Sequence, residues 1–194
     1  MDAKDTPMDA QEMYARALHG FADRVHEVGS EQWSLPTPCT EWNVRDLVNH
    51  LTGENRWIPP ILAGMTIADV GHALDGDLLG DDPVRAFDDS AEEALAAARQ
   101  PGVLDHTVHL SFGDVPGTEY AMQLSADFLI HTWDLAKATG GDTHLDPALV
   151  DACLTWFPEE EDAYRSSGVI GDRVDVPPDA DHQTQLLAAF GRAA

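Results

Sequence analysis

Basic residues are scarce in this sequence: eleven Lys and Arg stand against thirty-five Asp and Glu in 194 residues, a formal net charge of −24. A chain this acidic repels phosphate backbones and anionic lipid surfaces, which argues against nucleic acid or a membrane surface as a partner. Cysteine is nearly absent. Cys39 and Cys153 lie far apart, without the paired spacing of a zinc finger or a CxxC redox motif, and read as free thiols. No apolar run approaches the roughly 18 residues of a membrane span. The start "MDAKDTPMDAQEMYARALHG" has neither the basic opening nor the apolar stretch of a signal peptide, so a cytoplasmic protein is expected. G-x-S-x-G, P-loop and G-x-G-x-x-G motifs are missing too, which leaves serine-hydrolase, nucleotide-hydrolase and dinucleotide readings without support.

Helical patterning is what the sequence has in quantity. Met8 to Val28 places Met13, Ala17, Phe21 and Val25 at helical spacing, with Gly29 to close the segment. In "WNVRDLVNHL", Asn43 suits an N-cap with Asp46 three residues on, while Trp42 and Leu47 hold the positions of a hydrophobic staple. A second helix should thus start at Val44 and end or kink after Ile58, where Pro59 and Pro60 follow. A third is expected from Asp82 as cap and Pro83 as first helical residue, stopped by Pro101-Gly102. The fourth should span roughly Thr118 to Thr139 with Gly140-Gly141 as terminator.

Shorter features lie between and after these helices. "VLDHTVHLSFGDVPG" alternates like a short hairpin, and its His106 and His109 are spaced to face opposite ways. A further helix should begin near Pro147 and be interrupted or end around Pro158, and the tail should hold a short turn over Gln185 to Phe190. Four substantial helices and long loops predict an all-α bundle with crossover connections and a minor β-hairpin. The length fits one domain over residues 1–194, with 166–194 as a tail packed on it.

The fourth helix poses the chemical question. "SADFLIHTWDLAKATGG" is apolar nearly all round, yet Asp127, His131 and Asp134 stack at i, i+4 and i+7 as one polar stripe. Asp127 and His131 have the spacing with which one helix offers two ligands to one ion, and His50, beside Leu47 and Leu51 on the second helix, is the candidate third. Three ligands of this kind leave an open position, as in a catalytic rather than a structural site. A D-x3-H pair taken alone is more often a solvated helix edge or an intrahelical ion pair than a metal site, and His50 could be satisfied by Glu54 at i+4. Asp134 reads either as an acceptor for a ligating imidazole or as a surface charge near Lys137, the surface being favoured. Trp57 and Trp133 lie on the same two helices and read as core packing first and pocket wall second. Cys39 could in principle be an activated thiol, but Asn43 holds the cap where a helix would activate it.

The segments "TPCTEWNVRDLVNHLTGENRW", "DFLIHTWDLAKATG" and "VPPDADHQTQLLAAFGR", in this order, resemble the short actinobacterial proteins related to the metal-binding domain of mycothiol-dependent maleylpyruvate isomerase, in the DinB-like superfamily. The similarity spans nearly the whole chain. It implies a DinB-like four-helix bundle holding a divalent metal by three side chains: an acid-x3-His pair on a late helix and a histidine on the second, here Asp127, His131 and His50. Family members vary between Glu and Asp at the carboxylate. The characterised isomerase has a further C-terminal domain that contributes to its active site, so maleylpyruvate isomerisation itself is not carried over.

What the resemblance implies about activity is a metal-dependent transferase or isomerase that uses a mycothiol-type thiol as cosubstrate against a small electrophile, with zinc expected and nickel or another divalent ion as variants. No catalytic residue beyond the ligands is assigned. The alternatives are a non-catalytic metal- or ligand-sensing bundle and a metal-assisted hydrolase. Homodimerisation is left open.

Overall fold

The computed structural model describes residues 8–193. Residues 1–7, the polar opening considered above for a leader, and residue 194 lie outside the described residues. Helix α1, Ala10–His26, is capped by Asp9, whose side chain accepts from the Glu12 N–H. Helix α2, Val44–Leu62, begins with the expected capping box between Asn43 and Asp46. A single turn, α3, spans Ile67–Val70, and α4 spans Pro83–Ala98 with Asp82 accepting from the Arg85 N–H. A 3-10 turn over Val103–Asp105 leads into an antiparallel hairpin, β1 Thr107–Leu110 and β2 Gly113–Pro116, in which Val108 pairs with Val115. Helix α5, Gly117–Thr139, ends at Gly140 in the left-handed conformation; α6, Pro147–Ser167, and α7, His182–Ala189, complete the chain.

Helix α1 packs on α5 and α4, and α2 packs on α4 and α5, which closes a ring of four. The fold is therefore an all-α four-helix bundle with a minor hairpin, as the helical periodicity predicts. Its centre is aromatic. Phe21 lies 5.4 Å from Phe87 and 5.9 Å from Phe128, and Tyr14 lies 6.0 Å from Phe128, all ring to ring. The polar groups among them are paired, as burial demands: the Tyr14 hydroxyl donates to Asn55 at 3.3 Å, and the Asn55 amide donates to Ser90 at 3.2 Å. Helix α5 is buried on nearly every side, which explains an apolar sequence with little amphipathic asymmetry.

Two helices continue past the prolines expected to end or kink them. Helix α2 continues through Pro59 and Pro60 to Leu62, because Ile58 and Ile61 are both buried and the last turn must stay helical to seat Ile61. Helix α6 continues through Pro158, since Phe157 and Tyr164 pack against one another at 5.6 Å on either side of it. In each case a lost backbone hydrogen bond is offset by apolar burial. Helix α7 starts three residues earlier than the tail's periodicity suggests, because Asp181 caps it by accepting from the Thr184 N–H. Gly117, which opens α5, has no room for a side chain: a Cβ there would meet the Leu104 backbone at 2.9 Å.

Candidate metal centre

The site is assembled by one loop and two bundle helices. The loop before α2 is closed on itself: the Thr37 hydroxyl lies 2.9 Å from the Trp42 carbonyl, the Trp42 N–H donates to the Cys39 carbonyl at 2.8 Å, and the Val44 N–H donates to the Leu35 carbonyl at 2.9 Å. This closure brings the Trp42 ring over His50, with centroids 4.7 Å apart, and to 5.8 Å from the His131 ring. The capping box then fixes the start of α2, and His50 follows on its second turn.

Across from His50, helix α5 presents Asp127 and His131 one turn apart. His50 Nε2 is 3.1 Å from Asp127 Oδ2, and His131 Nε2 is 3.4 Å from Asp127 Oδ1, so each carboxylate oxygen faces one imidazole. The three donor groups all lie within 4.8 Å of one another. In a tetrahedral zinc site with bonds of about 2.0–2.1 Å, neighbouring ligand atoms are about 3.3 Å apart. The two separations, each to a different oxygen of Asp127, bracket that value, and with all three donor groups within 4.8 Å of one another the set can close on a small divalent cation. His131 is nearly buried, while His50 and Asp127 keep 28% and 37% side-chain exposure, enough for a ligand to reach the centre from solvent.

The electrostatics follow from this packing. Burial opposes charge on His131, but the Asp127 carboxylate and the hydrogen bonds around it more than compensate, holding its pKa well above the ordinary imidazole value. His50 is likewise raised, burial being outweighed by Asp127. Burial would raise Asp127, yet the two imidazoles together hold it far below the usual carboxylate range. Glu54, half-buried, is pushed up to about 7 by desolvation and then by the charge of Asp127. It makes no recorded hydrogen bond to His50 among the described residues, whose partner is Asp127 instead.

Asp134 differs from the favoured sequence reading. It is fully buried rather than a surface charge near Lys137, and its Oδ2 lies 2.9 Å from His131 Nδ1. A bond at Nδ1 fixes the ring and leaves Nε2, the atom facing Asp127, free to donate its lone pair to a cation. Lys137 instead lies over the Trp133 ring, 5.3 Å from its centroid. Trp133 is buried in the core and Trp57 packs against it, which is the first of the two readings for each; the indole against the imidazoles is that of Trp42.

Cys39 is no isolated thiol either. Its Sγ lies 3.4 Å from Asp134 Oδ2, 4.0 Å from His131 Nδ1 and 3.1 Å from Arg192 Nη2. Cys39, His131 and Asp134 thus form a second set of potential ligands on the other side of the same imidazole. A guanidinium already fills it: Arg192 bonds Asp134 through Nη2 at 2.8 Å and Nε at 3.2 Å. A metal ion would have to displace that guanidinium, whereas at Asp127, which has no Lys or Arg partner among the described residues, it would displace only protons from the two imidazoles. The charge balance therefore favours the His50, Asp127 and His131 set. Trp42, Cys39 and Arg192 are not identifiable from local spacing, since Cys39 meets Arg192 across 153 residues. The faint signal available was the i+7 position of Asp134 on the stripe.

The family described as mycothiol maleylpyruvate isomerase N-terminal domain matches residues 14–136. That segment takes in Cys39, Trp42, His50, Asp127, His131 and Asp134, and stops short of α6, α7 and Arg192. Among curated proteins, two uncharacterized proteins of Mycobacterium tuberculosis, from strains CDC 1551 and H37Rv, are each 34% identical over 142 residues, covering 73% of this chain and 74% of theirs. No solved structure matches.

Proposed function

The chain belongs to the mycothiol maleylpyruvate isomerase N-terminal domain family, and from that premise we propose that it is a divalent-metal-dependent transferase or isomerase using a low-molecular-weight thiol against a small electrophile. The observation that carries the proposal is the meeting of His50, Asp127 and His131, from two helices, within 4.8 Å. His50, Asp127 and His131 would hold a divalent ion such as zinc, and the chemistry such an ion would supply there is Lewis acidity that lowers the pKa of a bound thiol. Water at the same position is the hydrolytic alternative.

The residues of the chain divide the remaining work. Asp127 aligns both imidazoles in the metal-free site, one on each oxygen, and would offset the charge of a bound cation. Asp134 holds the Nδ1 side of His131. Trp42 covers the imidazole faces, excluding water from that side and leaving an apolar wall against which a substrate can rest. Glu54, raised to about 7, can hold or release a proton at its carboxyl group near neutral pH.

The test compares purified protein before and after chelation in a thiol-conjugation assay with mycothiol and a panel of electrophiles. Activity lost on chelation and restored by zinc supports the transferase or isomerase reading. Turnover that needs no thiol assigns the site to hydrolysis, and tight metal binding without turnover across the panel assigns the bundle to sensing.

A further inference from the structure

The end of the chain reaches the metal centre from behind. Helix α7 terminates in a Schellman motif: the Gly191 N–H donates to the Ala188 carbonyl at 3.1 Å and the Arg192 N–H to the Leu187 carbonyl at 2.8 Å. Gly191 adopts φ +78°, and a Cβ there would lie 3.1 Å from the backbone of Gly171 and Asp172. Both the left-handed turn and the close approach require glycine. The helix bearing this turn is itself held in place. Phe190 stacks on Phe157 of α6 at 4.1 Å, the Val174 N–H donates to the Ala188 carbonyl at 3.0 Å, and Arg165 donates to the Ala189 carbonyl at 2.7 Å. The direction in which the chain leaves α7 is thereby fixed, and it carries the Arg192 side chain to Asp134.

Arg192 grips Asp134 with two nitrogens, as described above, and its Nη1 donates to the Phe190 carbonyl at 2.8 Å. Its side chain is 14% exposed and that of Asp134 is 0% exposed. A planar guanidinium holds a carboxylate so enclosed in one orientation by bonding both of its oxygens. Asp134 passes that orientation to His131 through the Oδ2–Nδ1 contact of 2.9 Å.

Resting on the metal reading of the preceding subsection, we infer that Arg192 is a positioning residue of the metal centre, acting through Asp134 on the His131 imidazole, so that the docked C-terminal helix sets metal affinity. The chain of contacts runs from the Schellman turn to Arg192, to Asp134, to His131 Nδ1, and ends at the Nε2 facing Asp127. Cys39 caps the remaining side of the guanidinium with its sulfur. Loss of Arg192 leaves Asp134 free to re-aim, and His131 loses the fixed acceptor that holds its ring orientation.

The experiment measures the zinc dissociation constant of the full chain, wild type, Arg192→Ala and Arg192→Lys, by competition with a chromophoric chelator at one pH. Thermal unfolding in excess chelator is recorded for each variant. Removing a direct outer partner of a ligating histidine typically weakens metal binding about 10- to 100-fold, and Arg192, one contact further out behind Asp134, should give a loss toward the lower end of that range, about tenfold. That loss is expected for Arg192→Ala, with a smaller loss for Arg192→Lys, whose ammonium can match the charge of Asp134 but not bridge both oxygens. An Arg192→Ala protein that melts lower without metal but binds zinc as tightly as wild type overturns the inference and leaves Arg192 a purely structural anchor. Should Arg192→Ala not fold, Arg192→Lys decides by the same criterion, with the His131 Nδ1–H resonance of the metal-free protein as second readout: it should be protected in wild type and exchange faster in the lysine variant. A wild type that binds no zinc overturns the metal reading itself.

Discussion

Acidifying the protein from about pH 6 to about pH 5 should weaken zinc binding about 100-fold. The magnitude comes from the proton count at the site. Asp127 holds the pKa of both His50 and His131 above the ordinary 6.5, so in this range the metal-free site carries a proton on each ring. Asp127, depressed far below the usual carboxylate range, carries none. Each ion bound must therefore expel two protons, and the dissociation constant rises tenfold per proton per pH unit, or about 2.7 kcal/mol per unit for the pair. Above both imidazole pKa values the dependence should flatten. Chelator competition gives the slope, and calorimetry in two buffers of different ionisation enthalpy gives the proton release directly. Proton release near zero in this range would refute the reasoning, because it would mean the ion binds where neither imidazole is displaced from its proton.

Metal-free stability should run the opposite way on the alkaline side. His50 and His131 have folded pKa values raised above 6.5, so their contribution is complete below about 6.5 and is lost as pH rises through the folded values. Glu54, raised from 4.5 to about 7, acts in the same direction between those two values. Asp127 and Asp134 are lowered from 3.8, so their contribution is present above that value and lost on acidification. Melting temperature in excess chelator should thus fall as pH rises above neutrality, and zinc should reverse the fall. A melting temperature that climbs with pH in chelator contradicts the assigned shifts. In the core, Phe21→Ala should cost about 3–5 kcal/mol in urea unfolding, since Phe21 is buried between Phe87 and Phe128; zinc affinity of the folded fraction should be unchanged, and a loss of affinity would show that site and core are not separable.

The parts legible in the sequence are those decided within a few residues. The Asn43 capping box, the Asp82-Pro83 start and the Gly140 terminator are local hydrogen-bond chemistry, and each falls where its residues indicate. The Asp127–His131 juxtaposition is likewise a property of one helical turn. The helix ends at Pro59 and Pro158 were hidden because burial of Ile61 and the Phe157–Tyr164 contact, both tertiary, outweigh a local rule. Asp134 shows the limit most clearly. Its place on the stripe with Asp127 and His131 suggests the interior, Lys137 three residues on suggests the surface, and the deciding partner, Arg192, lies 58 residues away. Trp42 carried a legible role as a staple residue, and its position against His50 depends on a loop closure that no periodicity encodes.

The most direct measurement is an anomalous difference map, recorded at the zinc absorption edge, from crystals of the full chain grown with zinc. One peak about 2.0–2.2 Å from Nε2 of His50, Nε2 of His131 and a carboxylate oxygen of Asp127 is the predicted result. A peak placed instead between Cys39 and Asp134 with Arg192 displaced, or no peak at either set of ligands, would contradict the account.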